Sequence, residues 1–341
     1  MVKVIDMRSD VVTRPTPGMR QAMATAEVGD DVSREDPTVN RLEELCAKLT
    51  GKEASIFVCS GTMANLLCVK AWTHHGDEFI AEESSHMTSF ETGGSAAFAG
   101  VQWRAVRGDR GSFDADDIAP LIRGEDIQLA RTRLICMENT HTMAGGAVFP
   151  LEKMRSVAKL ARERDIRVHV DGARIWNAVI ATGIGIEEYA ACCDSLSFCL
   201  SKGLGCPAGS IVSGPADFVA RVRKYRKMVG GGMRQTGILA AAGLYALEHH
   251  IQRLREDHDN AKRLARALAE LPKVKIDLSS VETNLVVFEI AGDSEEWMAR
   301  FREKGVLLCP YPRNRIRAVT HIDVSSDDVD RVIEIARDLI R

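Results

Sequence analysis

Asp194-Ser-Leu-Ser-Phe-Cys-Leu-Ser-Lys-Gly-Leu-Gly-Cys206 is the stretch on which the reading of this chain turns. The apolar run Leu196 to Leu200 reads as a strand and stops abruptly at Ser201-Lys202-Gly203. A lysine at the end of an apolar strand can be desolvated, which lowers its pKa and makes its amine a usable nucleophile. The chemistry that needs such an amine is Schiff-base formation, most often with pyridoxal phosphate. Taken alone, the stretch also fits an exposed, structural lysine on a βα loop, and the rest of the chain has to decide between the two.

Upstream, a short strand from Ala54 to Val58 runs into Ser60-Gly61-Thr62, and a helix continues through Leu66 and Leu67. A helix N-terminus presents unpaired N–H groups and a positive dipole end. Glycine lets an anion approach and the two hydroxyls add donors, so the junction suits a phosphate. It carries neither GxGxxG nor a Gly-Lys-Ser/Thr element, which excludes the dinucleotide and Walker loops; an ordinary helix cap is the alternative. His86 follows one strand later in a polar loop and can face the same crevice.

Val168 to Val170 reads as a strand that delivers Asp171 at its carboxyl end, where an open α/β sheet binds ligands. An acid there can hold a protonated pyridine nitrogen and keep the ring a strong electron sink; it can equally cap the next helix. Arg174 can pair with Asp171 or meet a substrate carboxylate. Met228-Val-Gly-Gly-Gly-Met-Arg234 is either a flexible turn or a backbone nest around an anion.

The chain has 341 residues, 45% hydrophobic and 27% charged, which predicts a soluble protein of one large domain plus an appendage, or two domains. A net charge of −3 gives no electrostatic case for nucleic acid or an anionic membrane, and no apolar run approaches a bilayer span. The first residues lack the apolar segment of a signal peptide. Nine cysteines without a CxxC pair fit neither a zinc site nor a disulfide framework, so a reducing, cytoplasmic setting without a metal is expected. Alternating strands and helices up to about residue 250 predict an α/β domain over 1–250, including an amino-terminal arm, and 251–341 reads as a small α+β domain.

In order, Ser-Asp-Val-Val-Thr-Arg-Pro, Gly-Asp-Asp-Val, Asp-Pro-Thr-Val-Asn, Ser-Gly-Thr-Met-Ala-Asn, Glu-Asn-Thr-His, His-Val-Asp-Gly-Ala-Arg, Leu-Ser-Lys-Gly-Leu-Gly and Gly-Gly-Gly-Met-Arg-Gln form a pattern that resembles the low-specificity L-threonine aldolases. These belong to the pyridoxal phosphate (PLP) enzymes of fold type I. The resemblance implies a three-layer large domain with a mostly parallel seven-stranded sheet, a small C-terminal domain, and a homotetramer with active sites at subunit interfaces. It implies PLP on Lys202, its phosphate on Ser60, Gly61 and Thr62, its ring against His86 and its nitrogen on Asp171. Ser9, Arg174 and Arg317 would bind the substrate carboxylate, and Arg234 would reach a phosphate across the interface. The implied reaction is cleavage of L-threonine or L-allo-threonine to glycine and an aldehyde, with His86, or a water it positions, as the base. Ser33, Gln128 and Thr142 depart from the tyrosine, histidine and asparagine common in relatives, which leaves the side-chain preference open. Another fold-type I activity (β-elimination, transamination, racemisation) or a non-catalytic protein on this fold are the rivals.

Overall fold

The computed structural model describes residues 3–340. Its strands are β1 (Ile5–Asp6), β2 (Ala54–Val58), β3 (Glu78–Glu82), β4 (Gln102–Val106), β5 (Thr132–Glu138), β6 (Arg167–Asp171), β7 (Ser195–Cys199), β8 (Ser210–Gly214), β9 (Val274–Lys275), β10 (Leu285–Ile290), β11 (Val306–Leu307), β12 (Cys309–Tyr311) and β13 (Arg315–Val319).

Seven of them form the central sheet, in the order β2-β8-β7-β6-β5-β3-β4. Strands β3 to β7 pair in parallel, and helices cover both faces. Burial on two faces is why β3, β7 and β8 are buried at every position instead of alternating. Strand β8 runs antiparallel to both neighbours. Its link to β7 contains no crossover helix, and a short link between adjacent strands forces that direction. The link is the Ser201–Gly209 loop, so the local stop read at Lys202 is the place where the sheet reverses. The α/β class and the mostly parallel seven-stranded sheet, with a smaller C-terminal sheet domain, are what the sequence led us to expect.

The carboxyl ends of the parallel strands carry acids. Glu138 of β5 is paired in register with Asp171 of β6, and Asp171 with Ser197 of β7. Aligned registers therefore put Glu138, Asp171 and the end of β7 on one edge of the sheet.

The small domain is built on the antiparallel sheet β12-β13-β10-β9. Helix Leu254–Ala269 joins it to the large domain: Leu254 packs in the main core, while Ala261, Leu264 and Leu268 pack in the second. The amino-terminal arm departs from its expected grouping with the large domain. Strand β1 pairs in parallel with β11, and Ile5 and Met7 are buried in the small domain's core. Their alternation turns both apolar side chains inward, so the arm starts as part of the small domain. The basic run from Arg221 to Lys227 lies in a helix, Ala216–Met228, which begins after Pro215.

Candidate active site

Lys202 leaves β7 on a loop pinned through its main chain. Its carbonyl accepts from Thr13 Oγ1 at 2.9 Å and from the Gly205 amide at 2.8 Å, and the Cys206 amide donates to Leu200 O at 3.1 Å. The side chain is thereby left for other work. Ala173, Arg174, Asn177 and Cys199 line the small cleft beside it.

Ser60 caps the helix Gly61–Trp72, its hydroxyl accepting from the Met63 amide at 3.2 Å. Ser60 and Thr62 are exposed on the single protomer. A Cβ on Gly61 would come within 2.7 Å of Cys199 Sγ, on the last residue of β7. A side chain at residue 61 would have to displace the Cys199 thiol at the end of β7, the strand from which the lysine loop leaves. We expect Gly61→Ala to destabilise the fold by about 1–3 kcal/mol through overpacking and to weaken phosphate binding at the same helix start. Urea denaturation and cofactor titration of the variant measure the two effects.

Asp171 is 3% exposed. Its Oδ1 accepts from the Ala173 amide at 3.0 Å and its Oδ2 from Asn65 Nδ2 at 2.7 Å. Asn65 sits one turn into the capped helix and also donates to Glu91 Oε1, at 2.8 Å. Beneath it, His169 contacts Ser195 Oγ and Asn65 Oδ1. Burial pushes the His169 imidazole down to about 4, so it is neutral and adds no charge beside Asp171. His86 opens a short helix, His86–Ser89, with its amide donating to Glu138 Oε2 at 2.7 Å and its Nδ1 lying 2.9 Å from Glu91 Oε1. The hydrogen bond to Glu91 raises its pKa, burial opposes this, and Asp171 adds to the rise. His86, Glu91 and Asp171 offer atoms within 4.8 Å of one another. The Asn65 amide donor directed at both carboxylates is the wrong polarity for a cation between them.

Arg174, 5% exposed, makes a bidentate pair with Asp10: Nε to Oδ2 at 2.8 Å and Nη2 to Oδ1 at 2.6 Å. Its Nη1 reaches Thr142 Oγ1 at 3.0 Å. Ser9 caps the turn that carries Asp10. Arg317 donates to Arg8 O at 3.1 Å, and its Nε is buried without a hydrogen-bond partner. The arm thus joins Ser9, Arg174 and Arg317 to the neighbourhood of Lys202.

Three expected residues lie elsewhere. Arg234 is exposed and donates to both oxygens of Asp30 at 3.1 Å, so in one protomer it contacts no part of the Ser60–Thr62 start. Ser33 hydrogen-bonds the same Asp30 at 2.8 Å. Gln128 sits on a tight hairpin, bridged between Asp126 and Leu129, just before the first residue of β5. Strand β5 spans about 20 Å from Thr132 to Glu138 at ~3.3 Å per residue, so Gln128 lies at the opposite end of the strand from Glu138. The sequence reading gave no role to Asp10, Asn65, Glu91 or Glu138. Only Glu138 left a local signal, an acid at a strand end like Asp171.

Residues 6–291 match the family described as β-eliminating lyase. The low-specificity L-threonine aldolase of Escherichia coli K12 is 43% identical over 331 residues, covering 96% of this chain and 97% of that protein. The chain is a member of the low-specificity L-threonine aldolase family. The probable low-specificity L-threonine aldolase 2 of Arabidopsis thaliana, another family member, is 40% identical over 340 residues, 97% of this chain and 96% of its own length. Among solved structures, a putative L-allo-threonine aldolase of Listeria monocytogenes superposes with a TM-score of 0.82 over 98% of this chain and 96% of that one, at 20% identity. The threonine aldolase of Leishmania major gives 0.85 over 99% and 100%, at 17% identity. These likenesses establish the fold, and the sequence relatives establish the family.

Proposed function

We propose that the chain is a PLP-dependent lyase that cleaves the Cα–Cβ bond of L-threonine, L-allo-threonine and related β-hydroxy-α-amino acids, giving glycine and an aldehyde. The observation that carries this reading is the 43% identity with the E. coli threonine aldolase over 96% of the chain. The residues present fit the cofactor. A helix start at Ser60–Thr62, open on the protomer, suits its phosphate, a buried carboxylate suits a ring N–H, and a lysine whose hydrogen bonds run through its main chain suits its aldehyde.

Bound there, PLP supplies an electron sink for the pair left at Cα when the Cα–Cβ bond breaks. Lys202 Nζ is its attachment point, Ser60, Gly61 and Thr62 hold its phosphate, and Asp171 retains the proton on its ring nitrogen. Arg174 and Arg317 grip the substrate carboxylate, with Ser9 beside them. A fixed carboxylate aligns the breaking bond and selects C–C cleavage over loss of the α-proton or of the carboxylate itself. Proton removal from the β-hydroxyl falls to His86 Nε2, directly or through a water, because Nδ1 faces Glu91.

The active unit in this reading is a homotetramer whose sites are completed across the interface. Ser60 and Thr62 lie open on the protomer, and Arg234 and Gln128 stand free of its site. Light scattering of the purified protein tests this. A cytoplasmic, reducing location is supported by nine unpaired cysteines. No helix among the described residues is long and apolar enough to cross a membrane. The domain division near residue 250 fits the passage of helix Leu254–Ala269 between the cores.

Incubating the PLP-loaded protein with L-threonine, L-allo-threonine, phenylserine and α-methylserine, with glycine and aldehyde assayed separately, tests the reaction. Aldehyde is expected from at least the first two. Keto-acid release without aldehyde would move the protein to β-elimination or transamination, and inertness towards all four would end the aldolase reading.

A further inference from the structure

The geometry points to Glu91 as the residue that sets which nitrogen of His86 carries the proton, so that Nε2 faces the substrate as a proton acceptor. This inference rests on the reading of His86 as the base. Glu91 has 7% side-chain exposure, and its Oε1 lies 2.9 Å from His86 Nδ1. An ionised carboxylate only accepts, so the nitrogen facing it must be N–H and the other nitrogen keeps its lone pair.

Further contacts hold the arrangement. Asn65 Nδ2 donates to the same Glu91 oxygen at 2.8 Å, fixing the carboxylate from the other side. Turning the Asn65 amide over would put its oxygen against both the Glu91 and Asp171 carboxylates, so Nδ2 stays on them, with Oδ1 3.4 Å from His169 Nε2 and from Ser197 Oγ. The His86 backbone amide is tied to Glu138 Oε2 at 2.7 Å, so the base of the imidazole is fixed as well as its ring.

The charged groups facing His86 are Glu91, Asp171 and Lys202; the first two raise its pKa and Lys202 lowers it. Glu91 itself is pushed up by burial and by Asp171, while His86 and Asn65 pull it down. When His86 takes the substrate proton, the adjacent buried Glu91 carboxylate neutralises the imidazolium. Glu91 is therefore a positioning residue acting through His86.

The test is a long-range 1H–15N correlation spectrum of the PLP-loaded protein labelled with 15N-histidine. His86 is assigned by the resonance lost in His86→Asn. The expected native result is a neutral ring protonated on Nδ1. In Glu91→Gln, whose amide can donate or accept, the ring should become a mixture of tautomers and its titration midpoint should move to lower pH. The acid limb of kcat/KM should move with it, and kcat should fall by about a hundredfold with KM changed by less than about threefold. Glu91→Asp keeps the charge and should recover the midpoint and part of kcat.

A native ring protonated on Nε2 would overturn the proposal, and so would Glu91→Gln with tautomer and kcat both unchanged. The native spectrum decides even if Glu91→Gln does not fold. It is also independent of whether any β-hydroxy amino acid is cleaved, so it separates this inference from the assignment of the reaction.

Discussion

Lys202→Ala should lower turnover by at least about four orders of magnitude while leaving the fold and non-covalent cofactor binding in place. The native lysine interacts with its loop through the main chain: its carbonyl takes hydrogen bonds from Thr13 and Gly205, which alanine preserves. The Ser60–Thr62 helix start and Asp171 are untouched, so the variant should still take up PLP in a spectroscopic titration. What it should lose is a link that borohydride can fix, read by mass spectrometry of the reduced protein. A variant that still shows cofactor fixed to the chain, with activity retained, would move the attachment point to another lysine.

Asp10→Ala should be the most destabilising single change at the site, costing about 3–5 kcal/mol. Asp10 is fully buried and Arg174 is 5% exposed, so removing the carboxylate leaves a guanidinium out of water with only Thr142 as partner. Arg174 would also lose the contacts that fix its plane, so KM for the amino acid should rise. The pH dependence has a definite sign. Burial alone would raise the Asp10 carboxyl. Arg174 overcomes that, Lys202 and His321 assist, and the group is held well below the usual carboxylate range. A carboxyl depressed in the folded state stabilises fully above its unfolded pKa, about 3.9, and loses that contribution as pH falls through the lower folded value. Denaturation of native protein between pH 7 and pH 3 should therefore show a loss of stability below about pH 4 that Asp10→Asn lacks. An equal slope in both proteins would mean that the pair is uncoupled from folding.

The placement of Lys202, Asp171 and Ser60 was legible because each sits at the end of a local run, and a strand end in an α/β sheet has a known direction. Asn65, Glu91 and Asp10 left no such trace. Asn65 meets Asp171 across 106 positions and Arg174 meets Asp10 across 164, and only the assembled sheet brings them together. Arg234 and Gln128 are a different case. A motif shows that a residue type is wanted somewhere, but one chain does not reveal whose site it serves. The arm's pairing with the small domain left no trace for a related reason: β1 is only two residues long, and its partner β11 follows about three hundred residues later.

That arm has a mechanical consequence. It is tied to the small domain through Met7 O, which accepts from Val319, and Asp6 O, which accepts from His321. It is tied to the large domain through Thr13 and through the Asp10–Arg174 pair. Between the anchors lie only a few residues, with little slack. Turning the small domain therefore drags Asp10, and with it the plane of Arg174. On the proposed reading of Arg174, its grip on a substrate carboxylate would then follow the angle between the domains, because the strap between the anchors is short.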